Sequence, residues 1–114
     1  MNREEHYLQV AIHDLLTYEK IFHFAVPNGE LRNIRVASRL KSEGVLAGVS
    51  DLILVLPKRI VFVEIKNGTK GRQSDAQKSF QNTVESLGFS YEIWKKIDDC
   101  QIFIKKLKKS EKMY

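Results

Sequence analysis

The sequence predicts an α/β (α+β) fold with a mixed central sheet of about four strands flanked by helices. The clearest sign is a pair of unbroken apolar runs, Leu52–Leu56 and Ile60–Ile65, joined by the short polar segment 57–59. Such runs are typical of a buried antiparallel hairpin. Segments with helical apolar spacing lie on both sides of it, and strands mixed with helices in one chain favour a layered α/β arrangement. The length of 114 residues, 43% of them hydrophobic, suits one domain with a single modest core.

Two helices and one strand are predicted before the hairpin. Apolar residues at helical spacing near the N-terminus predict a first helix that runs to about Tyr18. Residues 21–26 are apolar and aromatic and are followed by residues suited to a turn, which indicates a strand. A second helix is predicted from Leu31, with Gly44 as its C-terminal cap.

Two helices and one strand are also predicted after the hairpin. Ser74 and Gln77 form a capping-box pattern that opens a third helix, and Gly88 ends it. Residues 91–94 are a fourth strand candidate, and a last amphipathic helix follows them. The predicted order is therefore helix, strand, helix, strand, strand, helix, strand, helix.

The charge of the chain favours a polyanionic partner only mildly. Lys and Arg exceed Asp and Glu by 19 to 14, which gives a net charge of +5 and a pI near 9.4. Residues 105–114 hold five lysines and one glutamate, which leaves 14 basic and 13 acidic side chains in the rest of the chain. We therefore divide the chain into a single domain over 1–104 and a Lys-rich C-terminal tail over 105–114. Such a tail is more often a solvated end than a binding device.

Several classes of protein are excluded by composition. No apolar run approaches the roughly 20 residues that a membrane-spanning helix needs, and the polar N-terminus is unlike a signal peptide. Cys100 is the only cysteine, which rules out an internal disulfide and a cysteine-based metal cluster. We expect a cytoplasmic protein with no membrane partner. The three histidines show no metal-binding spacing, and we assign them no role.

The end of the hairpin is the candidate for chemistry. Glu64 and Lys66 lie two residues apart in a strand, so their side chains share one face about 6.6–6.8 Å apart. If the turn is centred on residues 57–59, the numbers of any two residues paired across the hairpin add up to about 115–117. Asp51 then lies opposite residue 64, 65 or 66.

Two explanations remain for these charges. Two carboxylates at the end of a buried strand require a counter-charge, a hydrogen-bond network or an ion, and a hard divalent cation fits them well. Such a cation could activate a water molecule against a phosphate, with Lys66 positioning that water or neutralising the phosphate. The alternative is that Glu64 and Lys66 are ordinary solvated charges at a strand end and that Asp51 caps the strand entry.

At these positions the sequence resembles the PD-(D/E)xK nuclease superfamily, and within it the virus-type replication-repair nuclease (VRR-NUC) family. The resemblance covers most of the chain and implies a restriction-endonuclease-like core. Ser50 stands where the superfamily's nominal motif has proline, which leaves the choice of substrate open. The segments that carry the resemblance are Glu5-His6-Tyr7-Leu8-Gln9, Pro27-Asn28-Gly29, Gly48-Val49-Ser50-Asp51, Val63-Glu64-Ile65-Lys66, Gly68-Thr69-Lys70-Gly71-Arg72 and Gln77-Lys78-Ser79-Phe80.

The resemblance implies a metal-dependent endonuclease that acts on DNA. It assigns Mg²⁺ or Mn²⁺ to Asp51, Glu64 and the backbone carbonyl of Ile65, and it places Glu5 near the metal through a water molecule. Glu5 also fits a plain capping box with Asn2, so both explanations of this residue stay open.

The resemblance also makes Lys66 the catalytic lysine and turns Gln77 toward the same site. Gln77 has a second explanation as well, because it forms the capping-box pattern with Ser74. Three cations surround the glycine-containing loop and the first turn of helix three, where a phosphate backbone could lie. They are the candidate DNA-binding residues Lys70, Arg72 and Lys78, and the alternative is an ordinary polar loop.

Short members of this type look like homodimeric Holliday-junction resolvases. Since we expect no further domain in this chain, we favour a homodimer that cuts four-way DNA junctions, and the family analogy suggests a phage origin. The alternatives are a non-catalytic nucleic-acid-binding module on the same fold, a flap nuclease, and a hydrolase acting on RNA or nucleotides.

Overall fold

Helices and strands follow the predicted order in the computed structural model, which describes residues 3–27, 34–67 and 72–111. All predicted elements are present among these residues. Their bounds are α1 Arg3–Tyr18, β1 His23–Ala25, α2 Ile34–Ser42, β2 Leu52–Leu56, β3 Arg59–Ile65, α3 Asp75–Ser86, β4 Ser90–Trp94 and α4 Ile97–Glu111.

The sheet is mixed, as the sequence predicts. The strand order is β1-β2-β3-β4, with β2 antiparallel to both of its neighbours and β4 parallel to β3. Pro57 and Lys58 form the two-residue turn between β2 and β3, and Lys58 takes a positive φ of 61°. A proline followed by a residue with positive φ is the type II turn pattern. The parallel pairing of β3 with β4 needs a crossover, and α3 provides it.

The register of the hairpin decides which residues lie together at its open end. Leu52 pairs with Val63 and Leu54 with Val61, so partner numbers total 115. This value is the lower limit of the predicted range. Extending the same register by one residue places Asp51 opposite Glu64.

The two faces of the sheet carry different layers. Alternate residues of β2 and β3 pack against α1 and α4 and form the main core. The opposite face carries α3 and a cluster of aromatic rings from Phe62, Phe80, Phe89 and Tyr91, which meet edge-on or tilted. Glu64 belongs to this second face, because its neighbours Val63 and Ile65 point into the main core.

The Lys-rich C-terminal segment is helical as far as Glu111, so the last predicted helix continues past residue 104. Leu107 is 2% exposed and belongs to the main core, and Lys108 Nζ lies 2.7 Å from Oε1 of Glu19, the residue that follows α1. The physical reason is helical spacing: Leu107 lies three residues after Ile104, so it falls on the same buried face. The lysines between them occupy the solvent face of one continuous helix.

The other differences are small. The second helix begins at Ile34, and the predicted start at Leu31 lies outside the described residues, as does Asn2 of the predicted first capping box.

The capping box of α3 is present, with Gln77 N donating to Ser74 Oγ and Ser74 N donating to Gln77 Oε1. In the part of the chain that the structure describes, no helix is long and apolar enough to cross a bilayer.

Candidate metal centre

Asp51 and Glu64 face each other at the open end of the hairpin. Asp51 immediately precedes β2, Glu64 is the second-to-last residue of β3, and the register makes them direct neighbours across the two strands. Directly opposite residues project from the same face of a sheet. The structure therefore brings together the two carboxylates that the position of the turn predicts to be neighbours.

Glu64 is fully buried, and its two carboxylate oxygens have different surroundings. The hydroxyl of Tyr91 donates to Oε1, and Gln73 Nε2 lies 3.4 Å from the same atom. Oε2 has no hydrogen-bond partner among the residues that the structure describes. Lys66 Nζ lies 3.7 Å from Oε2, which is an ion-pair distance but is longer than a hydrogen bond. Oε1 of the carboxylate is thus held by neighbouring donors, whereas Oε2 accepts no hydrogen bond within the described part of the chain and can bind a cation.

Asp51 is held by the backbone of β3. Its Oδ2 accepts a hydrogen bond of 2.7 Å from Ile65 N. Burial raises the pKa of Asp51, the Ile65 hydrogen bond opposes that rise, and the negative charge of Glu64 adds to it. Lys66 lowers the pKa of Asp51 and Glu5 raises it, both by smaller amounts. The charged form of Asp51 is therefore unfavourable here, and a cation between the carboxylates would relieve it.

Lys66 and Gln77 make direct contact. Lys66, whose side chain is 13% exposed, donates from Nζ to Gln77 Oε1 over 2.9 Å. The same oxygen accepts the N–H of Ser74 at the start of α3. The two explanations of Gln77, as a cap and as a site residue, are therefore compatible, because one amide oxygen does both.

Glu5 joins the first helix to the end of β3. Its Oε2 accepts a hydrogen bond of 3.2 Å from Asn67 N, and the neighbouring Glu4 accepts one from the Asn67 side chain. The effect of Glu5 on the pKa of Asp51 shows that its charge reaches the acidic pair. α1 thereby closes one side of the site.

Gly48 explains why α3 begins so close to Asp51. Its φ is +87°, and a Cβ atom at this position would lie 2.5 Å from the backbone carbon and oxygen of Ala76. Only glycine lets the two backbones approach in this way. The contact fixes the first turn of α3, and with it Gln77, beside the hairpin end. The sequence alone assigns Gly48 no separate role, and its place two residues before Ser50 and three before Asp51 is the signal that could have indicated one.

Asp51 and Glu64 together are called the acidic centre. A groove of about 820 Å³ between α1 and β1 reaches this centre at Asp51. Its walls include Asp51 and Lys66 at one end, and His13 and His23 along its length. His23 Nδ1 lies 2.8 Å from the carbonyl of Ile21, and His23 Nε2 lies 2.8 Å from His13 Nδ1. A carbonyl only accepts, so His23 Nδ1 donates, and a neutral His23 then accepts from His13. Sequence spacing gave no sign of this pair, since the contact depends on how α1 packs over β1.

Two of the three candidate DNA-binding residues, Arg72 and Lys78, do not line this groove. Arg72 and Lys78 are exposed, before α3 and in its first turn, and Lys70 lies outside the described residues. The structure does not bring Arg72 or Lys78 into contact with the carboxylates.

The donor atoms suit a hard cation. Among residues 3–27, 34–67 and 72–111, no three Asp, Glu, His or Cys side chains come together as a metal site. The acidic pair therefore needs further oxygen donors, such as a backbone carbonyl and water, which are the usual ligands that Mg²⁺ keeps. The buried Oε2 of Glu64, which accepts no hydrogen bond from the described residues, is the observation that favours an ion at this position.

Comparison with known proteins identifies the fold. No family model matches the sequence, and no curated protein matches it. A solved structure described as a VRR_NUC domain protein superposes with a TM-score of 0.75 at 21% identity, covering 93% of this chain and 88% of the other. A second, described as a VRR_NUC domain, gives a TM-score of 0.68 at 16% identity, covering 91% and 97%. The predicted fold is confirmed, and this chain has the fold of these two VRR_NUC domain structures.

Proposed function

We propose that this protein is a metal-dependent DNA endonuclease that hydrolyses phosphodiester bonds with Mg²⁺ or Mn²⁺. The observation that carries the proposal is the buried carboxylate of Glu64, whose Oε2 accepts no hydrogen bond from the residues that the structure describes and lies at the hairpin end opposite Asp51. A buried carboxylate oxygen with no hydrogen bond is costly unless a cation takes that place in the working protein.

The residues that would hold the ion are Asp51, Glu64 and Ile65. The N–H of Ile65 points to Asp51, and the carbonyl of a strand residue points to the same side as its N–H. The carbonyl of Ile65 is therefore directed toward the acidic pair, which supports it as a ligand, and the role that we propose for Glu5 is contact with the ion through a water molecule. When bound, a divalent ion supplies positive charge to phosphate oxygens and lowers the pKa of a coordinated water.

The side chains of the protein have distinct parts in the hydrolysis. The reaction adds a water oxygen to phosphorus and breaks one P–O ester bond, which leaves a phosphate monoester and a hydroxyl group. Lys66 presents its ammonium group beside Glu64, where it can neutralise the charge that builds up on the phosphate. Gln77 fixes that ammonium group, and the α3 cap fixes Gln77. No large rearrangement of Lys66 is then needed during the reaction.

The substrate that we propose is branched DNA, a four-way junction cut by a homodimer in the cytoplasm. The net charge of +5 and the exposed cations Arg72 and Lys78 support a phosphate-rich partner. Lys70, which lies outside the described residues, is the third cation that we propose for DNA contact.

Cleavage of a substrate panel tests the proposal. Labelled four-way junction, flap, duplex and RNA would be incubated with wild-type protein in EDTA, Mg²⁺ or Mn²⁺. We expect junction cleavage in either metal and none in EDTA. Asp51→Asn and Glu64→Gln should lower the rate by roughly 10²–10³-fold, as when one preorganised electrostatic contact is removed. Glu85→Gln, a change to an exposed carboxylate on α3, is the matched control.

Each outcome of the panel has one meaning. If Asp51→Asn or Glu64→Gln cleaved as fast as wild type, the acidic centre would not be the active site. Junction binding without cleavage in any metal would indicate a non-catalytic module. Cleavage restricted to flap or RNA would replace the proposed substrate while keeping the chemistry.

A further inference from the structure

Tyr91 lies beneath the acidic centre and touches it with its hydroxyl group. It belongs to β4, where it pairs with Phe62, two residues before Glu64 on the parallel strand. Its ring is 9% exposed and packs against Phe80, with ring centroids 6.3 Å apart. The ring is thus fixed by α3 and the sheet, and its hydroxyl reaches diagonally to Glu64 Oε1.

Gln73 completes a small network around the same oxygen. Its Nε2 lies 3.4 Å from Glu64 Oε1 and 2.8 Å from Gln81 Oε1 on α3. An amide nitrogen carries two hydrogens, so it can serve both acceptors at once. Glu64 Oε1 therefore receives two donors, and both come from the side of the sheet that α3 covers.

This arrangement fixes the orientation of the carboxylate. A carboxylate is planar, so holding Oε1 determines where Oε2 lies, and Oε2 is the atom with Lys66 beside it and no hydrogen bond. A tyrosine hydroxyl is protonated at neutral pH, so Tyr91 can donate this hydrogen bond.

We propose that Tyr91 is a positioning residue of the acidic centre, whose hydroxyl holds Glu64 Oε1 so that Oε2 is presented to the divalent ion, with Gln73 as the second donor. This inference rests on the proposed function. It assigns a role to two residues that no motif of the sequence selects. Outer contacts of this kind orient metal ligands, and losing one typically weakens metal binding by about 10–100-fold.

Binding of Mn²⁺ alone, measured by calorimetry and by the electron paramagnetic resonance of free Mn²⁺, tests the role of Tyr91 without any substrate. Tyr91→Phe keeps the ring and removes only the hydroxyl, and we expect the Kd for Mn²⁺ to rise by about 10–100-fold. Tyr18→Phe removes a hydroxyl from a side chain that is 81% exposed, and its Kd should equal that of wild type. With saturating Mn²⁺ and labelled junction, Tyr91→Phe should lower kcat and leave KM nearly unchanged, which a purely structural role would not produce.

The possible results separate this proposal from the proposed function. A Kd of folded Tyr91→Phe within threefold of the wild-type value would overturn the positioning role and leave the acidic centre intact. If wild type itself bound no Mn²⁺, or bound it as well after Glu64→Gln, the proposed function would fail first. Should Tyr91→Phe not fold, Gln73→Leu removes the second donor and decides the question: weaker Mn²⁺ binding supports the network, and unchanged binding refutes it.

Discussion

Replacing Asp51 by asparagine should make the metal-free protein more stable, although it removes the function that we propose. Opposing residues on adjacent strands have Cβ atoms about 4.5–5.5 Å apart. Burial is the largest cause that disfavours the charged form of Asp51, and repulsion from Glu64 adds to it. Two like charges held about 5 Å apart would repel by about 3 kcal/mol at an effective dielectric constant of roughly 20. Lys66, 3.7 Å from Glu64, offsets part of this repulsion. Asparagine keeps an oxygen to accept the hydrogen bond from Ile65, so we expect a net gain of about 1–2 kcal/mol.

The gain should depend on pH in a defined direction. Folding raises the pKa of Asp51, so the folded protein disfavours the charged carboxylate. That cost is present above the folded pKa and disappears as the pH falls through it. The advantage of Asp51→Asn over wild type should therefore be largest at neutral and alkaline pH and should shrink in acid.

Thermal unfolding followed by circular dichroism measures this effect. In EDTA at pH 8, Asp51→Asn should melt about 4–8 °C above wild type, since 1 kcal/mol corresponds to about 4 °C for a domain of this size. Mn²⁺ at about 100 times its Kd should stabilise wild type by about 2.7 kcal/mol and leave the variant unchanged, which reverses the order. Asp14→Asn, at an exposed position of α1, is the control. A variant that melted at or below the wild-type temperature in EDTA would refute the electrostatic reasoning.

Three further predictions concern the fold. Gly48→Ala should cost more than about 3 kcal/mol, because a Cβ would lie 2.5 Å from the α3 backbone in addition to the strain of a positive φ. Gly88 also has a positive φ, +93°, but a Cβ added there would have no atom within 4 Å, so Gly88→Ala should lower the free energy of unfolding in urea by only about 1–2 kcal/mol. If the two variants lost the same free energy of unfolding, the close approach at Gly48 would be contradicted. Burial raises the pKa of Cys100 to about 12, so its thiol should resist a thiol reagent at pH 8 until urea unfolds the chain, and rapid labelling of folded protein would show otherwise. Leu107→Ala should lower the free energy of unfolding by about 2–5 kcal/mol, whereas a solvated tail would tolerate the change.

The local part of the site is predictable from the sequence because a tight turn sets the register of a hairpin. Once Pro57 and Lys58 close the turn, every pairing between β2 and β3 follows by counting. That is why Asp51 and Glu64 can be placed together with no knowledge of the rest of the molecule. The capping box of Ser74 is local in the same sense.

The missed parts of the site depend on distances that the sequence does not fix. The register of β4 against β3 is set by how α3 crosses between them, so the diagonal contact of Tyr91 with Glu64 has no local signal. An aromatic residue in an apolar strand is usually interpreted as core, and Tyr91 is core apart from its hydroxyl. The pairing of His13 with His23 likewise requires the packing of a helix on a strand.

The acidic centre gathers contacts of very different sequence separation, and this has a consequence for the order of folding. The hairpin that joins Asp51 to Glu64 forms from neighbouring segments, whereas the hydrogen bond of Tyr91 spans 27 residues and that of Glu5 to Asn67 spans 62. Contacts that close long loops form later, because more chain entropy is lost before they contribute. During folding, Asp51 and Glu64 are therefore expected to come together before Tyr91 contacts Glu64 and before α1 packs beside them through Glu5. The complete candidate site is therefore present only once these last tertiary contacts have formed.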